Sequence, residues 1–66
     1  MTDATVSLSE QIACVRRELR QRDRVYSRLV ASGKMTRAQA EWETTAMRSV
    51  LRTLEHLVAE QEPRLV

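Results

Sequence analysis

One glycine, Gly33, stands almost at the middle of this 66-residue chain, and Pro63 is the sole proline. The rest is rich in Arg, Glu, Gln, Leu and Ala, residues that favour helix. A lone glycine between two uninterrupted segments reads as a corner, because without a Cβ it turns left-handed at little cost. The flanking residues mark that corner. Ser7-Leu8-Ser9-Glu10 and Thr36-Arg37-Ala38-Gln39 both have the form of a capping box, and Met35 is placed to staple onto Ala40. The spacing predicts helix 1 over about 8–32, a turn at 33–35 and helix 2 over about 36–61, each about 24 residues or roughly 36 Å long. Pro63 disfavours helix in the residue before it.

Apolar residues support the same division. Leu8, Ile12, Val15, Leu19, Tyr26 and Leu29 recur at four-and-three spacing on helix 1, and Ala40, Met47, Val50, Leu54 and Leu57 do so on helix 2. Two equal helices on a short connection fold back on each other. The expected fold is therefore all-α, an antiparallel two-helix hairpin forming one domain over 1–66. If Leu29 faces Ala40, Tyr26 lies beside Glu43, Arg22 beside Met47, Leu19 beside Val50, Val15 beside Leu54 and Ile12 beside Leu57. Charge agrees with this pairing. Between Leu8 and Ser32 the chain carries net +3, and between Thr36 and Glu62 net −2.

Two charged residues interrupt the apolar rows, Arg22 and Glu43. With Tyr26 between them, they form a candidate polar cluster: an internal ion pair that fixes register, or else a small binding pocket. A pocket needs concave walls, and two bare helices offer few. The apolar face is also wider than one neighbouring helix covers. Trp42, Leu51 and Val58 extend it on helix 2, and Val25 and Val30 on helix 1. Trp42, Met47, Leu51, Leu54, Val58 and Val25 are the candidate protein interface. The expected occupant is a second copy, giving a homodimeric four-helix bundle, with a different protein as the alternative.

Size sharpens the need for a partner, since a chain this short hides only about 60% of its unfolded surface. Cys14 is the sole cysteine and His56 the sole histidine, too few for an internal disulfide or a zinc site. No cofactor or metal is expected. The opening residues lack the features of a secretory signal and no stretch has the apolar length of a membrane span, so a cytoplasmic location without membrane contact is expected. No Gly-rich phosphate loop, carboxylate pair near a histidine, or Cys/His arrangement argues for catalysis. Cys14 reads as a half-buried, inert thiol and His56 as a solvated or helix-end histidine. Met1 to Val6 and Pro63 to Val66 read as frayed ends. Arg16, Arg20, Arg24 and Arg28 recur every four residues as a possible nucleic-acid ridge about 18 Å long. Glu18 and Asp23 interrupt it, and no aromatics are interleaved for base stacking.

The stretch from Ser9 to Leu57, with Arg22, Arg24, Val25 and Tyr26, then Gly33 and Met35, then Ala40, Glu43 and Met47, resembles a group of short uncharacterised phage and prophage proteins of proteobacteria. The pattern is Arg-x-Arg-Val-Tyr, Gly-x-Met, Ala-x-x-Glu-x-x-x-Met. The resemblance implies a small accessory product that binds a host or phage protein, and implies no enzymatic activity.

Overall fold

The computed structural model describes residues 5–61. They form a helical hairpin of α1, Leu8–Ala31, and α2, Arg37–Gln61. The frayed ends expected at residues 1–4 and 63–66 lie outside the described residues.

Each helix boundary follows from its cap. At the start of α1, Ser7 is extended and its Oγ accepts the amide of Glu10 at 3.1 Å. Glu10 reaches back to the Ser7 hydroxyl at 3.0 Å, so the second half of the box closes on the side chain instead of the Ser7 amide. At the start of α2 the box closes in full. The Gln39 amide donates to Thr36 Oγ1 and the Thr36 amide to Gln39 Oε1, both at 3.0 Å.

Gly33 has φ +76°, and its amide bonds the Val30 carbonyl while the Lys34 amide bonds that of Leu29. This pair of bonds is a Schellman ending, which satisfies carbonyls that the helix leaves free. Nothing lies within 4 Å of a Cβ built on Gly33. Backbone conformation, and not crowding, is therefore what selects glycine, since an L-residue in this region costs roughly 1–2 kcal/mol.

The seam between the helices differs from the expected register in one respect. On α1 the inward residues are those anticipated: Ile12 is buried, and Leu8, Val15, Leu19, Tyr26 and Leu29 are half-buried. On α2 the half-buried row is Ala40, Thr44, Met47, Leu51, Leu54 and Val58. Val50 and Leu57, expected inside, are exposed, and Leu51 and Val58, expected to widen the outer face, are inside. Arg16 Nη2 donates to Glu55 Oε2 at 2.8 Å, which places Leu19 level with Leu51, Val15 with Leu54 and Ile12 with Val58.

The reason is electrostatic. Both rows share Ala40, Met47 and Leu54, but the row through Val50 and Leu57 also carries Glu43, whose carboxylate would lose water on the seam. The observed row substitutes Thr44 and holds no charge. Thr44 is half-buried and its hydroxyl has no hydrogen-bond partner among the described residues. Thr44→Val is therefore expected to stabilise the protein by about 0.5–1 kcal/mol, the value of one methyl-sized apolar group. Thermal unfolding measures it, and an unchanged or lower midpoint would contradict this seam.

Candidate interaction surface

Two edges flank the seam, and their chemistry differs. One edge carries Arg16, Asp23 and Val30 from α1, each seven residues apart, and Glu41, Arg48 and Glu55 from α2 at the same spacing. Seven residues are nearly two helical turns, so each set stays on one side of its helix. Arg16 and Glu55 bridge the helices here. An open groove of about 650 Å³ follows towards the turn, lined by Asp23, Tyr26, Val30, Arg37, Glu41 and Thr44 among others. Its charges are mixed in sign, and it holds no buried polar atom lacking a partner.

The other edge carries Gln11, Glu18 and Val25 from α1 and Glu43, Val50 and Leu57 from α2. No interhelical ion pair closes it. Val25, Val50 and Leu57 are 48%, 49% and 41% exposed, while Trp42, on the outer side of α2, is 68% exposed. Leu29, Lys34, Met35, Gln39 and Glu43 form a shallow groove with Trp42 at the turn. Among the described residues only Ile12 is a buried apolar side chain. The hairpin thus leaves large apolar groups in water along one edge while burying almost none fully.

Of the expected interface, Trp42 and Val25 are on this surface. Met47, Leu51, Leu54 and Val58 are half-buried in the hairpin's own seam, for the electrostatic reason given above. Val50 and Leu57 replace Leu51 and Val58 as its apolar anchors.

The expected cluster of Arg22, Tyr26 and Glu43 is only partly assembled. Arg22 Nη1 donates to the Tyr26 hydroxyl at 2.8 Å, and its Nε lies 3.4 Å from Glu18 Oε2. Both partners belong to α1. The hydrogen bond and charge of Tyr26, and then Glu18, hold the Arg22 pKa above its ordinary value. Glu43 takes no part, because Thr44 occupies the place beside Tyr26. It is exposed, with no ion-pair or hydrogen-bond partner among the described residues.

The arginine ridge is also changed. Arg16 belongs to the charged edge and is engaged by Glu55, whereas Arg20, Arg24 and Arg28 are exposed and, with Arg17, form the outward side of α1. Cys14 is exposed and not half-buried, because its position places it beyond the row that packs on α2. His56 is exposed on α2. Among the described residues no group of three or more His, Cys, Asp or Glu is placed to hold a metal, and no helix is long and apolar enough to cross a membrane. Compared with known protein families, curated proteins and solved structures, the chain matches none.

The Arg16–Glu55 bridge makes the register testable by exchanging charge. Arg16→Glu should lower the thermal midpoint at low salt, through like-charge repulsion worth about 0.2–1 kcal/mol, and Glu55→Arg in the same chain should restore it. Failure of the second substitution to restore it would contradict the register.

Proposed function

We propose that this chain is a small, non-enzymatic protein-interaction module, acting in the cytoplasm as an accessory protein of the phage or prophage kind that its sequence resembles. The observation that carries this reading is the open apolar edge of Val25, Val50 and Leu57, with Trp42 beside it, on a hairpin in which Ile12 is the only buried apolar side chain among the described residues. Covering a valine or leucine fully gains about 1.5–3 kcal/mol relative to leaving it in water. A protein surface closing this edge therefore stabilises the complex and completes the hairpin's core. Trp42 has the attributes of an interface anchor: a large rigid side chain at the margin of a groove, exposed until a partner arrives.

A second reading uses the outward side of α1. Arg17, Arg20, Arg24 and Arg28 are exposed, and none has an ion-pair partner among the described residues, so they suit a row of phosphates. The apolar edge has no role in that reading, which is why the protein-binding one is preferred.

A photo-crosslinking amino acid placed at position 42, 50 or 57, or at 20 or 24, in the chain expressed in its native cell separates the two. Protein adducts concentrated at 42, 50 and 57 are expected. Adducts confined to 20 and 24, and made with nucleic acid, would overturn the protein-interaction reading.

A further inference from the structure

The geometry points to double-stranded DNA as a partner of the outward face of α1, held there through its phosphate rows by four arginines. The inference goes beyond the protein-interaction reading and does not rest on it. At roughly 100° per residue, Arg17, Arg20, Arg24 and Arg28 fall within a sector of about 80°, turned away from the seam and about 17 Å long. All four are exposed. Glu18 and Asp23, which interrupt the arginines in the sequence, stand about 80° and 60° outside that sector. From Ala13 to Ala31 the sector holds no carboxylate, and Glu10, at its far end, is bonded to the Ser7 hydroxyl.

Elsewhere on α1 arginines are paired. Arg16 takes Glu55 from α2, and Arg22 takes Glu18 one turn back on its own helix. On the outward face Arg20, Arg24 and Arg28 follow one another at four-residue spacing, where like charges repel, and no acid among the described residues offsets them. A polyanion relieves that repulsion. Duplex DNA presents about ten negative charges over the same 17 Å.

The make-up of the face narrows the choice of polyanion. Every cation in the sector is arginine, whose guanidinium fork matches phosphate oxygens, while the sole lysine, Lys34, lies in the turn. No ring is placed to stack on a single strand, since Tyr26 is half-buried at the seam and Trp42 belongs to α2. The apolar residues of the sector are Ala13 and Ala31, which are too small to anchor in a lipid surface. A helix about 10–12 Å across fits the B-form major groove, about 12 Å wide, and not the narrow major groove of duplex RNA. Arg20 and Arg28 stand at the two margins of the sector, one towards each wall of such a groove, with Arg17 and Arg24 between them. The apolar edge shares no residue with this face, so DNA and a protein partner fit the hairpin together.

The test is fluorescence anisotropy with a short labelled DNA duplex of mixed sequence, set beside an RNA duplex and a DNA single strand of the same length. Sedimentation with phosphatidylserine vesicles supplies the lipid arm. The expected result is preferential binding of duplex DNA, with affinity falling at least about tenfold between 50 and 200 mM salt, the loss set by contacts to two or more phosphates. Arg20→Gln or Arg28→Gln should each lower the slope of log affinity on log salt by about one, Arg20→Lys should keep it, and Arg52→Gln on α2 should leave it unchanged. Thermal unfolding at low salt checks the fold, and Arg24→Gln should raise the midpoint by removing two like-charge contacts. No binding of duplex DNA at 50 mM salt would overturn the assignment, as would equal or tighter binding of RNA, single strand or vesicles, or a slope indifferent to Arg20→Gln and Arg28→Gln. Protein adducts at 42, 50 and 57 would survive that failure, and their absence beside arginine-dependent DNA binding would remove the protein-interaction reading and leave this one standing.

Discussion

The cost of burying a carboxylate decides how this hairpin closes. α2 has two apolar rows that share every second member, and only one of them is free of charge. Choosing the row with Thr44 in place of Glu43 turns Leu51 and Val58 towards α1. The same rotation brings Glu55 within reach of Arg16 and sends Val50 and Leu57 to the opposite edge. An unpaired buried charge costs several kcal/mol, more than the difference between packing Leu51 or Val50 against Leu19. One electrostatic preference thereby sets the seam, the bridging ion pair and the surface left for other molecules.

The two edges that result have different capacities. The charged edge is satisfied within the chain, and its exposed ion pair adds specificity of register more than stability. The apolar edge is not satisfied. Among the described residues the hairpin has one interface and no third element to cover its flanks, which is why only Ile12 is buried there. Small domains commonly meet this shortage by association.

Most of the fold was legible in the sequence. Gly33, the two capping boxes and the four-and-three spacing place both helices to within one residue, because caps and glycine corners act through local bonds that neighbouring residues reveal. The inward face of α2 was not read correctly from apolar spacing alone, since Val50 and Leu51, or Leu57 and Val58, satisfy it equally. The deciding signal was present in Glu43 and Thr44: the row that carries no charge is the one that packs. Reading Arg22 as the partner of Glu43 followed from the same choice of row, and a partner one turn away on its own helix, Glu18, was the nearer alternative. Of the candidate interaction surface, Trp42 and Val25 are legible as surplus apolar residues, whereas apolar spacing places Val50 and Leu57 in the core.

The central claim is that Leu51 is covered by the hairpin itself while Val50 and Leu57 stand on its open edge. Methyl NMR in the presence of a soluble paramagnetic probe reads this directly. The account predicts that, in the isolated chain, the probe broadens Val50 and Leu57 strongly while Leu51 keeps its protection. Strong broadening of Leu51 with protection of Val50 and Leu57 would contradict it.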